Sequence, residues 1–469
     1  MTDDKRKKAP ENTTHVSFRE FLSTYRTPIL IILLVAFTWR LALVIGFPHA
    51  AVDEIRYTAP AVNMLAGRGF SSDVREPYLP SEHTVPFYPL FIAAVYAVFG
   101  EHNSAVRIAQ SAIDMITCLL VAFVSFNLAP ASLKKAAAIS SLIIYGCLSW
   151  FTVFWTRYIL TETLAVFLTM LAVAMSIWAS RGGRWRWLIV GVICGLAILT
   201  RADSVLLVFA FVLFLVFQTV RLRFSARVVS LLLYCAAISL VLAPWIVRNY
   251  ISLAKFQPLA SPYGAPRGEY VPTGYFWWMR TWMTDFTYAH AFDPVMLPGS
   301  RSFDPHQLPN ETFDSAEERE QVFQLIARYN QEGKITPETS DKFQAIANER
   351  IKRAPTRFFL RLPLKRTASM WLTGFATTNR FHMFLRILFV LPILMGGVLG
   401  FALWARSSAL AQLLLLLIVT RSLFFAYAPG GEERYIVEAY PAMIAACGVT
   451  GAALWRYLNR VLTERWHQD

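Results

Sequence analysis

The stretch AVDEIRY, Ala51 to Tyr57, places two carboxylates and a guanidinium, those of Asp53, Glu54 and Arg56, directly after a long apolar run. Charged side chains beside a membrane segment are costly to strip of water, so they serve either as solvated punctuation or as a working site. As a site they suit proton transfer next to an anion: a carboxylate takes the proton, and a guanidinium fork matches phosphate oxygens. The same residue types recur. Arg157 with Glu162, Arg201 with Asp203, Arg248, Arg280, and Arg434 beside Glu432 and Glu433 all border apolar runs or lie in the loops between them. For any one of these arginines a structural role at the interface is the simpler reading. Together they point to a site for an anionic group.

Transfer of a sugar from a lipid phosphate would use these groups. A sugar bonded to phosphate leaves readily once cations stabilise the departing phosphate, so no general acid is required. One carboxylate must take a proton from the attacking hydroxyl as the anomeric carbon passes through an oxocarbenium-like state. Such a site needs one base, several cations and access from lipid.

Composition says what must position those groups. The 469 residues are 55% hydrophobic and 16% charged, with mean hydropathy +0.42, whereas a soluble domain is typically about 45 to 50% apolar and about 25% charged. The chain is therefore expected to be an all-α polytopic membrane protein. Its net charge of +14 does not imply nucleic acid, because no basic stripe interleaved with stacking aromatics lies on a soluble segment. The five cysteines all lie within apolar runs at no ligand or paired spacing, as small buried hydrophobes do.

About ten spans are expected: Pro28 to Phe47, Ser104 to Ala129, Ala136 to Trp155, Tyr158 to Ala179, Trp187 to Thr200, Asp203 to Val220, Val228 to Val247, Leu385 to Trp404, Ala409 to Tyr427 and Ile436 to Tyr457. The run Pro86 to Phe99 is about 14 residues, nearer an interfacial helix than a span. Charge decides it. If this run does not cross, Lys134, Lys135, Arg181, Arg184, Arg186, Arg221, Arg223, Arg227 and Arg406 all face the cytoplasm with the basic tail at Lys5 to Lys8; if it crosses, the bias inverts throughout. The expected division is a cytoplasmic tail over 1–27, a membrane module over 28–247 with its first outer loop at 48–103, a large outer loop over 248–381, and the last three helices and a short tail over 382–469. In that loop, DSAEEREQVFQLIARYNQEGK reads as a helix capped by Asp314 or Ser315 and stopped near Gly333. The later stretch ERIKRAPTRFFLRLPLKRTASMWL mixes cations with Phe, Leu and Trp and suits a segment along the membrane surface. The cluster Tyr275 to Trp278 with Trp282 could stack on a sugar or seat the loop on the membrane. Asp114, inside an apolar span, could serve as a proton-relay acid, but a structural hydrogen bond to a neighbouring helix is the simpler reading.

Five stretches in order carry a resemblance: DEIRYTAPAVNMLAGRGF with HTVPFYPLFIAAVYAVFG, RYILTETL, GLAILTRAD, LAPWIVRNY and ERYIVEAYP. The chain resembles bacterial GT-C glycosyltransferases of the dolichyl-phosphate-mannose protein mannosyltransferase type, a group that includes the lipid A aminoarabinose transferase and rhizobial lipopolysaccharide galacturonosyltransferases. The resemblance implies a GT-C fold with interfacial helices in the first outer loop and a larger outer loop before the last three helices. It also implies transfer of a sugar from a polyprenyl-phosphate-linked donor to an extracytoplasmic glycan, lipid or protein, with inversion, at the bacterial inner membrane. Asp53 corresponds to the catalytic base and Glu54 to the acid that follows it. Arg56 corresponds to a donor-phosphate contact, and Arg201, Arg248 and Arg434 fall on motif positions expected to serve the same phosphate. Tyr57, Arg157, Glu162, Glu433 and Tyr435 lie within the matching stretches and are expected to support the site. Where relatives often carry Lys or Arg before two prolines, this chain has His83-Thr84-Val85-Pro86, so that phosphate contact is either His83 or missing. Pro60 falls inside the helix expected from Asp53, which leaves Asp53 the alternative of capping a short turn. Some GT-C enzymes use a divalent metal, but no metal site or other cofactor is expected from these residues, since the eight histidines show no ligand spacing. A lipid or polysaccharide flippase is the rival reading, and it would call for repeated halves and polar groups near the midplane.

Overall fold

The computed structural model describes residues 17–47, 51–217, 224–261, 270–285, 303–373, 380–404 and 408–466. The basic tail at Lys5 to Lys8 and the turn cations Arg221, Arg223 and Arg406 lie outside them. Among the described residues all regular structure is helical. In chain order the first part holds α1 (Phe18–Thr24), α2 (Arg26–Gly46), α3 (Ile55–Leu65), α4 (Phe87–Phe99), α5 (Asn103–Leu128), α6 (Lys134–Leu148), α7 (Trp150–Arg157), α8 (Glu162–Ser180), α9 (Arg186–Thr200), α10 (Val205–Phe217) and α11 (Phe224–Leu253). A smaller helical unit holds α12 (Thr273–Met279), α13 (Ala316–Glu332), α14 (Pro337–Arg353) and α15 (Leu362–Ala368), and the chain ends with α16 (Arg380–Trp404), α17 (Ala409–Ala426) and α18 (Tyr440–Trp466).

Six of these helices, α2, α5, α8, α11, α16 and α17, are long and apolar enough to cross a membrane, and the bent pair α6 and α7 brings the number to seven. The expected ten are not all of this kind. Helices α9 and α10 have 15 and 13 residues, or about 22 and 20 Å at 1.5 Å per residue, short of a hydrocarbon core of about 30 Å. Helix α4 is equally short at 13 residues. Arg107, in the second turn of α5, reaches Glu54 at 3.0 Å just after α2, so α5 starts at the level where α2 ended. The run expected to lie in the interface, Pro86 to Phe99, thus forms one of the shorter apolar helices and not one of the six long enough to cross.

The stretch expected as one span, Ala136 to Trp155, is broken. It bends by 54° between α6 and α7 after a π turn at Ile144–Leu148. The Gly146 carbonyl at this break accepts from Arg40 Nη1 at 2.8 Å, while Arg40 Nη2 and Nε meet Asp114 at 2.6 and 2.7 Å and the Tyr145 hydroxyl donates to Asp114 at 2.6 Å. Asp114 is thus the structural group its sequence context implied, and the break is satisfied by a side chain from α2. Elsewhere small residues bring helices together, as lipid-exposed packing requires. A Cβ on Gly400 would lie 2.1 Å from the Ala446 carbonyl, and one on Gly448 2.6 Å from Ser141 Cβ.

The smaller unit has its own core. Tyr275, Trp278 and Trp282 are buried with Val322, Leu325, Phe343 and Ile346, so this aromatic cluster forms the interior of the unit, in place of the two surface roles expected for it. Helix α13 starts at Ser315, whose hydroxyl accepts from the Glu318 amide at 3.1 Å, and stops at Gly333 with φ +68, a left-handed cap that glycine adopts at no steric cost. Arg357 donates through both terminal nitrogens to Asp314, each at 2.7 Å, and this hydrogen bonding holds the Asp314 carboxyl below its ordinary range.

Candidate functional site

A short helical turn, Val52–Glu54, follows α2 and runs into α3, which continues through Pro60 to Leu65. Within this turn the two acids diverge. Glu54 is buried, with Arg107 Nη2 at 3.2 and 3.0 Å from its two oxygens and the Ile159 amide donating to Oε1 at 2.9 Å. It ties the turn to α5 and to the end of the broken span. Asp53 keeps 26% of its side chain exposed, with Arg56 Nε at 3.4 Å and Arg434 Nη1 at 3.2 Å. Its carboxylate faces two guanidinium groups, so the capping alternative does not describe it.

Arg434 approaches from the loop before α18 and also pairs with Glu432 at 2.9 Å. Burial holds the Glu432 carboxyl above its ordinary range although Arg434 opposes the shift. Behind this pair lies a buried charge network. Arg201 reaches Glu162 at 2.7 Å, Asp203 at 2.9 Å and Glu438 at 3.5 Å; Arg421 reaches Asp203 and Glu438, both at 2.9 Å. It gathers the end of α9 and the starts of α8 and α10 with the end of α17 and the start of α18. Tyr57 sits against it, edge-on to Tyr88 with centroids 5.2 Å apart. Burial and then Glu162 push the Tyr57 hydroxyl up to about 12, so it is a neutral donor at physiological pH.

The other expected residues are spent differently. Arg248 donates to the carbonyls of Ser81 and Phe70, both at 2.9 Å, and stacks over Trp245 and Phe70, pinning the two ends of the 70–81 loop to α11. His83, two residues past that loop, is half-buried, and its amide donates to the Ser81 hydroxyl at 3.3 Å. Arg157 lies over the rings of Phe154 and Tyr158 and donates to the Tyr158 hydroxyl at 2.9 Å. Glu433 pairs with Arg386 of α16, and Tyr435 stacks on Phe425 with centroids 4.5 Å apart. The structure thus brings Asp53, Arg56, Tyr57, Glu162, Arg201 and Arg434 together and uses Glu54 and Arg248 as anchors. Sequence reasoning missed Arg107, Arg386, Arg421 and Glu438. Arg421 did leave a signal, since an arginine inside an apolar run of membrane length is expensive unless paired.

Among the described residues no three His, Cys, Asp or Glu side chains converge as a metal ion would require. The acids described above are instead taken by guanidinium groups, so the residues present do not fit such an ion.

Gly431 fixes the approach of Arg434. Its amide donates to the Thr284 carbonyl at 3.2 Å, and a Cβ here would lie 2.7 Å from the Arg366 carbonyl and 3.1 Å from that of Thr284. Both obstacles are backbone, and Arg366 is itself buried on the carbonyls of Met283, Ala426 and Arg280. Gly431→Ala is therefore expected to displace the loop and cost about 1 to 3 kcal/mol, the usual scale of overpacking. A lowered unfolding midpoint of the purified variant would show it; an unchanged midpoint would mean the loop yields freely.

Residues 82–247 match the family model described as dolichyl-phosphate-mannose-protein mannosyltransferase. No curated protein matches the chain. Among solved structures, an oligosaccharyltransferase from Archaeoglobus fulgidus, tethered with an acceptor peptide containing the NVT sequon, is similar at 14% identity and TM-score 0.51, covering 92% of this chain and 50% of its own. Its apo form is similar at TM-score 0.48 and 14% identity, covering 92% and 52%. ArnT from Cupriavidus metallidurans bound to undecaprenyl phosphate aligns at TM-score 0.39 and 14% identity, covering 92% and 78%. The chain spans about half the length of the oligosaccharyltransferase it matches. The protein is a multi-pass membrane protein with the GT-C fold.

Proposed function

We propose that this protein is a membrane glycosyltransferase that moves a sugar from a polyprenyl-phosphate donor to an extracytoplasmic acceptor, with Asp53 as general base. The observation that carries this reading is the setting of Asp53, a partly exposed carboxylate between Arg56 and Arg434 where the helix ends meet. In the proposed step the acceptor hydroxyl attacks the anomeric carbon from the face opposite the phosphate. Its proton passes to an Asp53 oxygen, the new carbon–oxygen bond forms, and the bond from carbon to phosphate oxygen breaks with inversion. The phosphate gains one negative charge as it becomes a monoester, while Asp53 loses one. Arg56 and Arg434, released from Asp53 as that charge moves, are the nearest cations to receive the phosphate. Arg201 is held by three acids and is better suited to fixing Glu162 and the helix ends than to direct contact.

Two features support this reading beyond the site itself, the GT-C fold and the family match across residues 82–247. Sugar transfer by purified protein in lipid, with polyprenyl-phosphate sugars as donors, tests it. Failure with every such donor while other activated sugars are used would overturn the lipid-phosphate part.

The side of the membrane is tested separately. Lys134, Lys135, Arg181, Arg184, Arg186 and Arg227 lie at or near the helix ends opposite the site, which supports a site outside the cytoplasm. Lys334 is exposed in the turn after α13, so Lys334→Cys is expected to react with an impermeant thiol reagent added to intact cells after outer-membrane permeabilisation. Labelling only after lysis would invert the topology.

A further inference from the structure

The stretch from Arg350 to Arg366 carries more positive charge than its partners absorb. Arg350 is buried on Glu318 and Asp314, Arg357 forks onto Asp314, Arg353 reaches Asp314 at 3.6 Å, and Arg366 is spent on carbonyls. Lys352, Arg361 and Lys365 are exposed, and among the described residues no carboxylate pairs with them. Between these cations Phe359, Leu360 and Leu364 are 56, 57 and 61% exposed, whereas Phe358 and Leu362 are buried beneath them. The Tyr427 hydroxyl donates to the Phe359 carbonyl at 3.0 Å, which pins the segment to the end of α17, one of the helices apolar enough to cross a membrane. Apolar side chains exposed at that level meet acyl chains, and long cationic side chains beside them reach the headgroups.

We propose that this segment is a docking surface for anionic phospholipid headgroups, with Phe359, Leu360 and Leu364 in the acyl layer and Lys352, Arg361 and Lys365 on the phosphates. The inference rests on these exposed side chains and not on sugar transfer, so either can fail without the other. A zwitterionic headgroup already carries its own cation, whereas a net negative one leaves its charge for the protein. Each Lys or Arg near an anionic surface is worth roughly fivefold in partitioning, and salt weakens the effect.

The test offers purified protein in neutral detergent equal amounts of phosphatidylglycerol and phosphatidylcholine with the same acyl chains, and quantifies the copurifying lipid by mass spectrometry. Wild-type protein is expected to retain phosphatidylglycerol about tenfold over phosphatidylcholine. The Lys352→Gln, Arg361→Gln, Lys365→Gln triple variant should lose most of that preference. A variant that keeps the charges, Lys352→Arg, Arg361→Lys, Lys365→Arg, should retain it, as should Lys334→Gln with Arg456→Gln, which removes exposed cations elsewhere. Equal retention of the two lipids by wild type would overturn the proposal. So would an undiminished preference in the triple Gln variant, or equal loss in either of the other variants.

Discussion

Asp53→Asn is expected to lower sugar transfer by on the order of 100-fold or more, the usual scale for a positioned base. Asparagine keeps the size of the side chain and cannot take the proton of the acceptor hydroxyl. The fold should tolerate the change, because about a quarter of the Asp53 side chain is exposed and the amide oxygen of asparagine can still accept a hydrogen bond from either arginine. Arg434 also retains Glu432 at 2.9 Å, so the guanidinium stays in place and donor binding should survive. Transfer and donor binding measured together on purified protein in lipid distinguish the outcomes. Transfer at the wild-type rate would make Asp53 only a counter-ion for its arginines. Loss of transfer through loss of donor binding would move Asp53 into the binding site and send the search for the base elsewhere.

Arg107→Ala should produce a large loss of stability, because it leaves Glu54 buried without its cation. Removing one partner of a buried pair typically costs about 3 to 5 kcal/mol, and here the pair joins the turn carrying Asp53 to α5. The expected result is a clear drop in the unfolding midpoint together with weaker sugar transfer. Glu54→Gln combined with Arg107→Met should recover much of that stability, since neither charge is then stranded and Gln can still accept from the Ile159 amide. Glu54→Gln alone should harm transfer less than Asp53→Asn, because Glu54 holds the turn in place and its oxygens are already committed. An unfolding midpoint for Arg107→Ala equal to that of the wild type would sink the anchoring role.

Much of this molecule was legible in the chain because the forces that set it are local or compositional. Apolar runs of membrane length identify spans without reference to neighbours, and six or seven of the expected ten have that length and apolarity in the structure. The helix Ala316–Glu332 starts at Ser315 and stops at Gly333 because caps act within four residues. Asp53 and Arg56 meet as an i,i+3 pair for the same reason. Packing decided the rest. Arg434 reaches Asp53 across 381 residues of sequence, Glu54 finds Arg107 on another helix, and Arg248 serves carbonyls of a distant loop. The kink after Gly146 depends on Arg40 supplying what the broken backbone lost, and Trp278 and Trp282 became part of a core only because α13 and α14 close over them. In each case a guanidinium, carboxylate or indole can satisfy itself in several ways, and residue type alone does not choose between them. The tertiary structure chooses, because once helix ends meet in a medium that cannot solvate charge, each buried ion must take the partner that the packing brings within about 3 Å.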